Sequence, residues 1–68
     1  MITEIGITAG EILNILDKNK EAFFEVLSEK IDKPKEIILM SLGWLAREGY
    51  IVIKKGERLL IRLRKKEV

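Results

Sequence analysis

The last twenty residues of this 68-residue chain hold seven lysines and arginines against two glutamates, among them Lys54, Lys55, Arg58, Arg62 and Arg64. Clustered cations of this kind suit one chemistry well: they replace the counterions around phosphate, an attraction that is salt-sensitive and indifferent to base sequence. Lys33, Lys35 and Arg47 form a second, more scattered set, and Ser41 carries a hydroxyl able to reach a base edge. A plainer use stands beside this one, because Lys and Arg on the open face of an edge hairpin keep it solvated and block strand-to-strand aggregation. A different chemistry resides in Ile37, Met40, Gly43 and Trp44. Apolar side chains and a glycine at helical spacing suit contact with another protein, Trp above all, or else simply extend the core.

The chain has no Cys and no His, which removes disulfides, thiolate metal ligands and the commonest general base. Carboxylates, lysines and hydroxyls remain, on a domain with little room for a pocket. The chain is therefore read as a non-enzyme with no cofactor and no metal site, and nothing in it points to a small-molecule ligand.

These residues need elements to position them. A chain of 68 residues makes one domain, residues 1–68, and at this size folding buries only about 60% of the unfolded surface, so a partner subunit would add needed burial. Thr8 and Glu11 have the spacing of a capping box, with Ile7 and Ile12 placed as a hydrophobic staple. The pattern predicts a helix over 8–18 ending near Asn19, with residues 1–7 extended before it. Phe23, Phe24, Val26, Leu27 and Ile31 predict a second helix over 22–30. Pro34 opens a third, 34–48, which Gly49 ends. Centring its buried side on Ile38 brings in Leu42, Leu45 and Ala46. Met40, Gly43 and Arg47 then face outward, with Ile37 and Trp44 on the adjoining flank. Alternation beyond Gly49 predicts antiparallel strands 50–54 and 58–65 joined at Lys55-Gly56-Glu57. Ile51, Ile53, Leu59, Ile61 and Leu63 turn inward, and Lys54, Arg58, Leu60, Arg62 and Arg64 outward. The fold class is α+β, a helix-turn-helix followed by a two-stranded wing.

Charge divides at the same boundary, with −3 over residues 1–48 and +5 over 49–68. The longest uncharged stretch, Ile37 to Ala46, is ten residues and too short to span a bilayer. No basic segment followed by a long apolar run opens the chain, and a soluble cytoplasmic protein is expected.

Ile7-Thr8-Ala9-Gly10-Glu11-Ile12 together with Leu42-Gly43-Trp44-Leu45-Ala46-Arg47-Glu48-Gly49 resembles a small prokaryotic winged helix-turn-helix family of uncharacterised function. The resemblance covers nearly the whole chain and departs from the family pattern at Phe23, where a polar helix cap is expected. It implies duplex DNA as partner, with the third helix in the major groove and the wing on the backbone. The third helix is chemically poor for that task, since Glu36 repels phosphate and Ile37 and Met40 read almost nothing on a base edge. Two readings follow: a small DNA-binding, regulator-type module working mainly through phosphates, and a protein-interaction or homodimerisation module using the apolar helix face without DNA.

Overall fold

The computed structural model describes the backbone of residues 2–64 and the side chains of residues 3–64. In chain order the elements are α1 (Ile2–Asn19), β1 (Glu21–Phe23), α2 (Phe24–Lys30), α3 (Lys35–Arg47), β2 (Ile51–Lys55) and β3 (Leu59–Leu63). The strands form one antiparallel sheet in the order β1-β3-β2.

The first helix is longer than its local signals suggest. Thr8 does not cap it: the helix already runs from Ile2, Thr8 is 0% exposed, and residues 2–7 are helical instead of extended (Met1 lies outside the described residues). The capping-box pattern is a local preference, whereas the stripe Thr8, Ala9, Ile12 and Leu16 buries a continuous face, and packing overrides propensity in a short domain. The early turns of α1 lie against α3, where the Ser41 hydroxyl reaches the carbonyl of Ile5 at 3.3 Å. At the other end the left-handed residue is Lys20, φ +72°, and not Asn19. The Lys20 amide donates to Leu16 O at 2.7 Å and closes the last turn.

β1 has no counterpart in the sequence reading, because three residues are too few to show alternation. It pairs with β3 through Ala22 opposite Ile61, so the second helix starts at Phe24 and not at Ala22. Phe23 is a strand residue, φ −75° and ψ 153°, that supplies no side-chain cap. Its ring instead lies under the Arg58 guanidinium, 3.9 Å from the centroid.

Pro34 precedes α3 and its carbonyl accepts from Ile37 N and Ile38 N at 3.0 and 3.2 Å. Gly49 ends the helix at φ +82°, a conformation in which a side chain is strained. The chain then reverses into the hairpin, in which Ile53 faces Ile61 and Val52 faces Arg62. The strands fall at 51–55 and 59–63 where 50–54 and 58–65 were expected; Arg64 is past the strand and Lys65 lies outside the described residues. As the alternation required, Ile51 and Ile61 are buried while Lys54, Arg58, Arg62 and Arg64 are exposed.

The core lies between the helices and one face of the sheet: Ile12, Leu16, Leu27, Ile38, Leu42, Leu45 and Ile61 are fully buried there. Each such Leu or Ile contributes about 1.5–3 kcal/mol from burial. One buried group works against this. Thr8 Oγ1 has no hydrogen-bond partner, and leaving a hydroxyl unsatisfied in the interior costs about 1–3 kcal/mol.

Thr8→Val keeps the shape and removes the orphan oxygen. It should raise Tm by about 4 °C or more in thermal unfolding. A capping Thr8 would give the opposite sign, a loss of about 1 kcal/mol.

Candidate nucleic-acid interface

α3 carries its buried stripe on one side and a face free of cover on the other. Ile37, expected outside, is only 7% exposed, and Ser41 is 0% exposed. The Ser41 hydroxyl donates to Ile37 O at 2.7 Å, so it belongs to the interior and offers nothing to a base edge. The reason is the extra length of α1: its early turns cover the flank of α3 that holds Ile37 and Ser41, which rotates the buried stripe away from the side of Ala46. The same rotation turns Leu39 outward at 46% exposed, a residue the sequence wheel missed. A small hydroxyl among long aliphatics at Ser41 was the available signal, since such a residue suits a tight helix crossing.

Met40 and Trp44 are exposed as expected, at 41% and 47%. Gly43 lies between them, and a Cβ added there would meet nothing within 4 Å. Trp44 rests on Tyr50, ring centroids 6.5 Å apart and planes 30° apart, so one side of the indole is covered from within the domain and the other is open.

The cations divide by whether an acid already holds them. Lys33 Nζ lies 2.9 Å from Glu11 Oε1. Arg58 Nε lies 3.5 Å from Glu25 Oε1. Arg62 gives both Nε and Nη2 to Glu21 Oε1 at 3.1 Å. The Arg58–Glu25 and Arg62–Glu21 pairs are exposed, so each adds only about 0–1 kcal/mol to stability, and Lys33–Glu11 is part-buried; each also offsets a charge that phosphate would otherwise feel. Lys35, Arg47, Lys54, Lys55 and Arg64 are exposed and enter no ion pair among the described residues.

Position separates them further. Lys54 and Lys55 stand at the tip of the hairpin. Arg64 stands at its root, its amide donating to Tyr50 O at 3.0 Å. At about 3.3 Å per residue the root pair is about 17 Å from Lys55. The tip projects two cations that enter no ion pair among the described residues, although Glu57 shares the turn with them, and such unpaired cations can replace counterions on a duplex backbone. α3 adds Lys35 at one end and Arg47 at the other, with a largely apolar face between. Phosphate contact is therefore within reach of this surface, while discrimination between bases has almost no donors or acceptors to use. No helix among the described residues is long and apolar enough to cross a membrane.

Comparison with known proteins agrees with this architecture. The family model described as "Winged helix-turn-helix domain (DUF2582)" matches residues 1–63. An uncharacterised protein of Methanocaldococcus jannaschii, MJ1608, is 35% identical over 59 residues, covering 81% of each chain. No solved structure matches the chain. Three helices, a strand between the first two and a two-stranded wing are thus the fold of a known family, and this chain belongs to the winged helix-turn-helix domain family DUF2582.

Proposed function

We propose that the protein is a small, non-enzymatic DNA-binding module of the transcription-regulator type, acting in the cytoplasm and holding duplex DNA by its phosphates. The supporting observation is the hairpin tip, where Lys54 and Lys55 are exposed with no ion pair among the described residues. Lys35 and Arg47 supply further contacts from α3. Lys33, Arg58 and Arg62 contribute less, because Glu11, Glu25 and Glu21 already hold them. Ser41 leaves the set of contacts, being buried.

A second reading is favoured by the exposed Leu39, Met40 and Trp44 with Gly43 open between them. This face suits self-association into a homodimer, since a twofold pair is the commonest oligomer and a small core gains most from added burial. Ile37 is not part of it. A dimer joined through α3 leaves the wings as the surface for DNA, which accords with backbone contacts and little base readout.

Binding to random-sequence duplex should weaken with a log-log salt slope of about −4 for four phosphate contacts. The Lys54→Gln, Lys55→Gln double variant should flatten that slope by about 2, and Glu25→Gln, which releases Arg58, should steepen it by about 1. Fluorescence anisotropy over a salt series measures all three, and a slope that none of them moves excludes the wing as the contact. Sedimentation should give a dimeric mass that Met40→Lys converts to a monomer. A wild-type monomer at high concentration ends the second reading.

A further inference from the structure

The outer side of α3 carries one seam, Glu36, Met40, Gly43 and Arg47, at the i, i+4, i+7, i+11 spacing that lines a single helix face. All four residues are exposed, on the side opposite the buried stripe of Ile38, Leu42 and Leu45. We propose that this seam is the contact between two copies of the chain, their α3 helices packed antiparallel about a twofold axis that passes between Met40 and Gly43. The arrangement rests on the homodimer reading above and adds to it a direction, a register and two charged contacts that the apolar residues alone do not define.

The seam is complementary to itself in that arrangement and not in the alternatives. A twofold axis brings residue i of one copy onto residue j of the other, and j onto i. With the axis between Met40 and Gly43, Glu36 meets Arg47 of the partner subunit and Arg47 meets the partner's Glu36, while each Met40 meets the partner's Gly43. Both outer layers then pair opposite charges, and both inner layers pair a long, flexible side chain with a residue that has none. Parallel helices would set Glu36 on Glu36 and Arg47 on Arg47, with an empty layer where glycine met glycine. Sliding the antiparallel pair until Met40 met Met40 would leave the charges without opposites.

Three features of the folded domain agree with this pairing. Neither Glu36 nor Arg47 enters an ion pair among the described residues, so both are available to a partner. A Cβ placed on Gly43 meets nothing within 4 Å, so the middle of the seam is an open notch that lets another helix come close, and Met40 is exposed to fill it. Leu39 and Trp44 flank the seam on its two sides, both exposed, and supply the apolar cover that keeps water from the methionine and glycine layers. Packed in this way, Arg47 is withdrawn from phosphate and α3 from the major groove, which leaves the wing to meet a duplex.

Sedimentation equilibrium of charge variants tests the register. Glu36→Arg sets two arginines together in each outer layer and Arg47→Glu two glutamates, and each should raise the dimer Kd about tenfold or more. The double variant Glu36→Arg, Arg47→Glu restores opposite charges in both layers and should dimerise as the wild type does. Its exchanged charges both oppose the helix dipole, so recovery of the dimer cannot come from a firmer helix. An equimolar mixture of the two single variants should likewise form a heterodimer. Gly43→Leu fills the notch and should abolish the dimer while far-UV circular dichroism shows helix content kept, since leucine is the better helix former. Glu29→Arg, a charge reversed on α2, should change nothing. Single reversals that dimerise as wild type, or a double variant no better than either, overturn the antiparallel register even where Met40→Lys still yields a monomer and so keeps the α3 face as the interface. A wild type that stays monomeric at high concentration removes both.

Discussion

The packing of α1 along α3 is the contact on which the rest of the molecule depends. A domain this small has one core and few ways to fill it. Ile12 and Leu16 of α1 and Ile38, Leu42 and Leu45 of α3 are among its largest buried side chains. The hydroxyl of Ser41, hydrogen-bonded within its own helix and to the Ile5 carbonyl, sets where the two helices meet. Because α1 continues back to Ile2, it covers a flank of α3 that a helix starting at Thr8 would leave bare. That coverage turns Ile37 inward and Leu39 outward, so the chemistry α3 presents is decided by a helix elsewhere in the chain.

The sheet follows from the same arrangement. α1 ends at Asn19, and the carbonyl of the next residue, Lys20, accepts from Leu63 N, which sets β1 beside β3. Ile61 at the middle of β3 is paired on both sides, with Ala22 and Ile53, and is fully buried. The central strand is thus held by the helix layer on one face and by both neighbours at its edges. Its open face is left to Val52, Lys54, Leu60, Arg62 and the acids that pair with some of these cations.

Charge pairing is divided along the hairpin in consequence. At the tip Lys54 and Lys55 enter no ion pair among the described residues, with Glu57 in the turn between the strands, and toward the root Glu21 holds Arg62. α3, the element that reads bases in much of the wider fold class, shows Leu39, Met40, Gly43 and Trp44 to solvent. An apolar recognition face and a charged wing ask for different neighbours: another protein surface for the first, phosphate for the second. A shared fold carries no obligation to a shared use, and here the site chemistry separates them.

The sequence by itself determined the class of fold, the order of its three helices and wing, and the inward and outward residues of β2 and β3. Those follow from short-range physics: Pro34 and Gly49 bound α3, and the period of two sorts Ile51, Ile53, Leu59, Ile61 and Leu63 from Lys54, Arg58, Arg62 and Arg64 without reference to anything distant. Tertiary structure alone decided the start of α1, the existence of β1, the rotation of α3 and the pairing of the cations. Each of these depends on groups far apart in the chain: Ile5 with Ser41, Ala22 with Ile61, Glu21 with Arg62, Glu25 with Arg58. A capping box, a three-residue strand and a helical wheel have no term for such contacts, and in a domain of this size it is the long-range burial that sets which local preference survives.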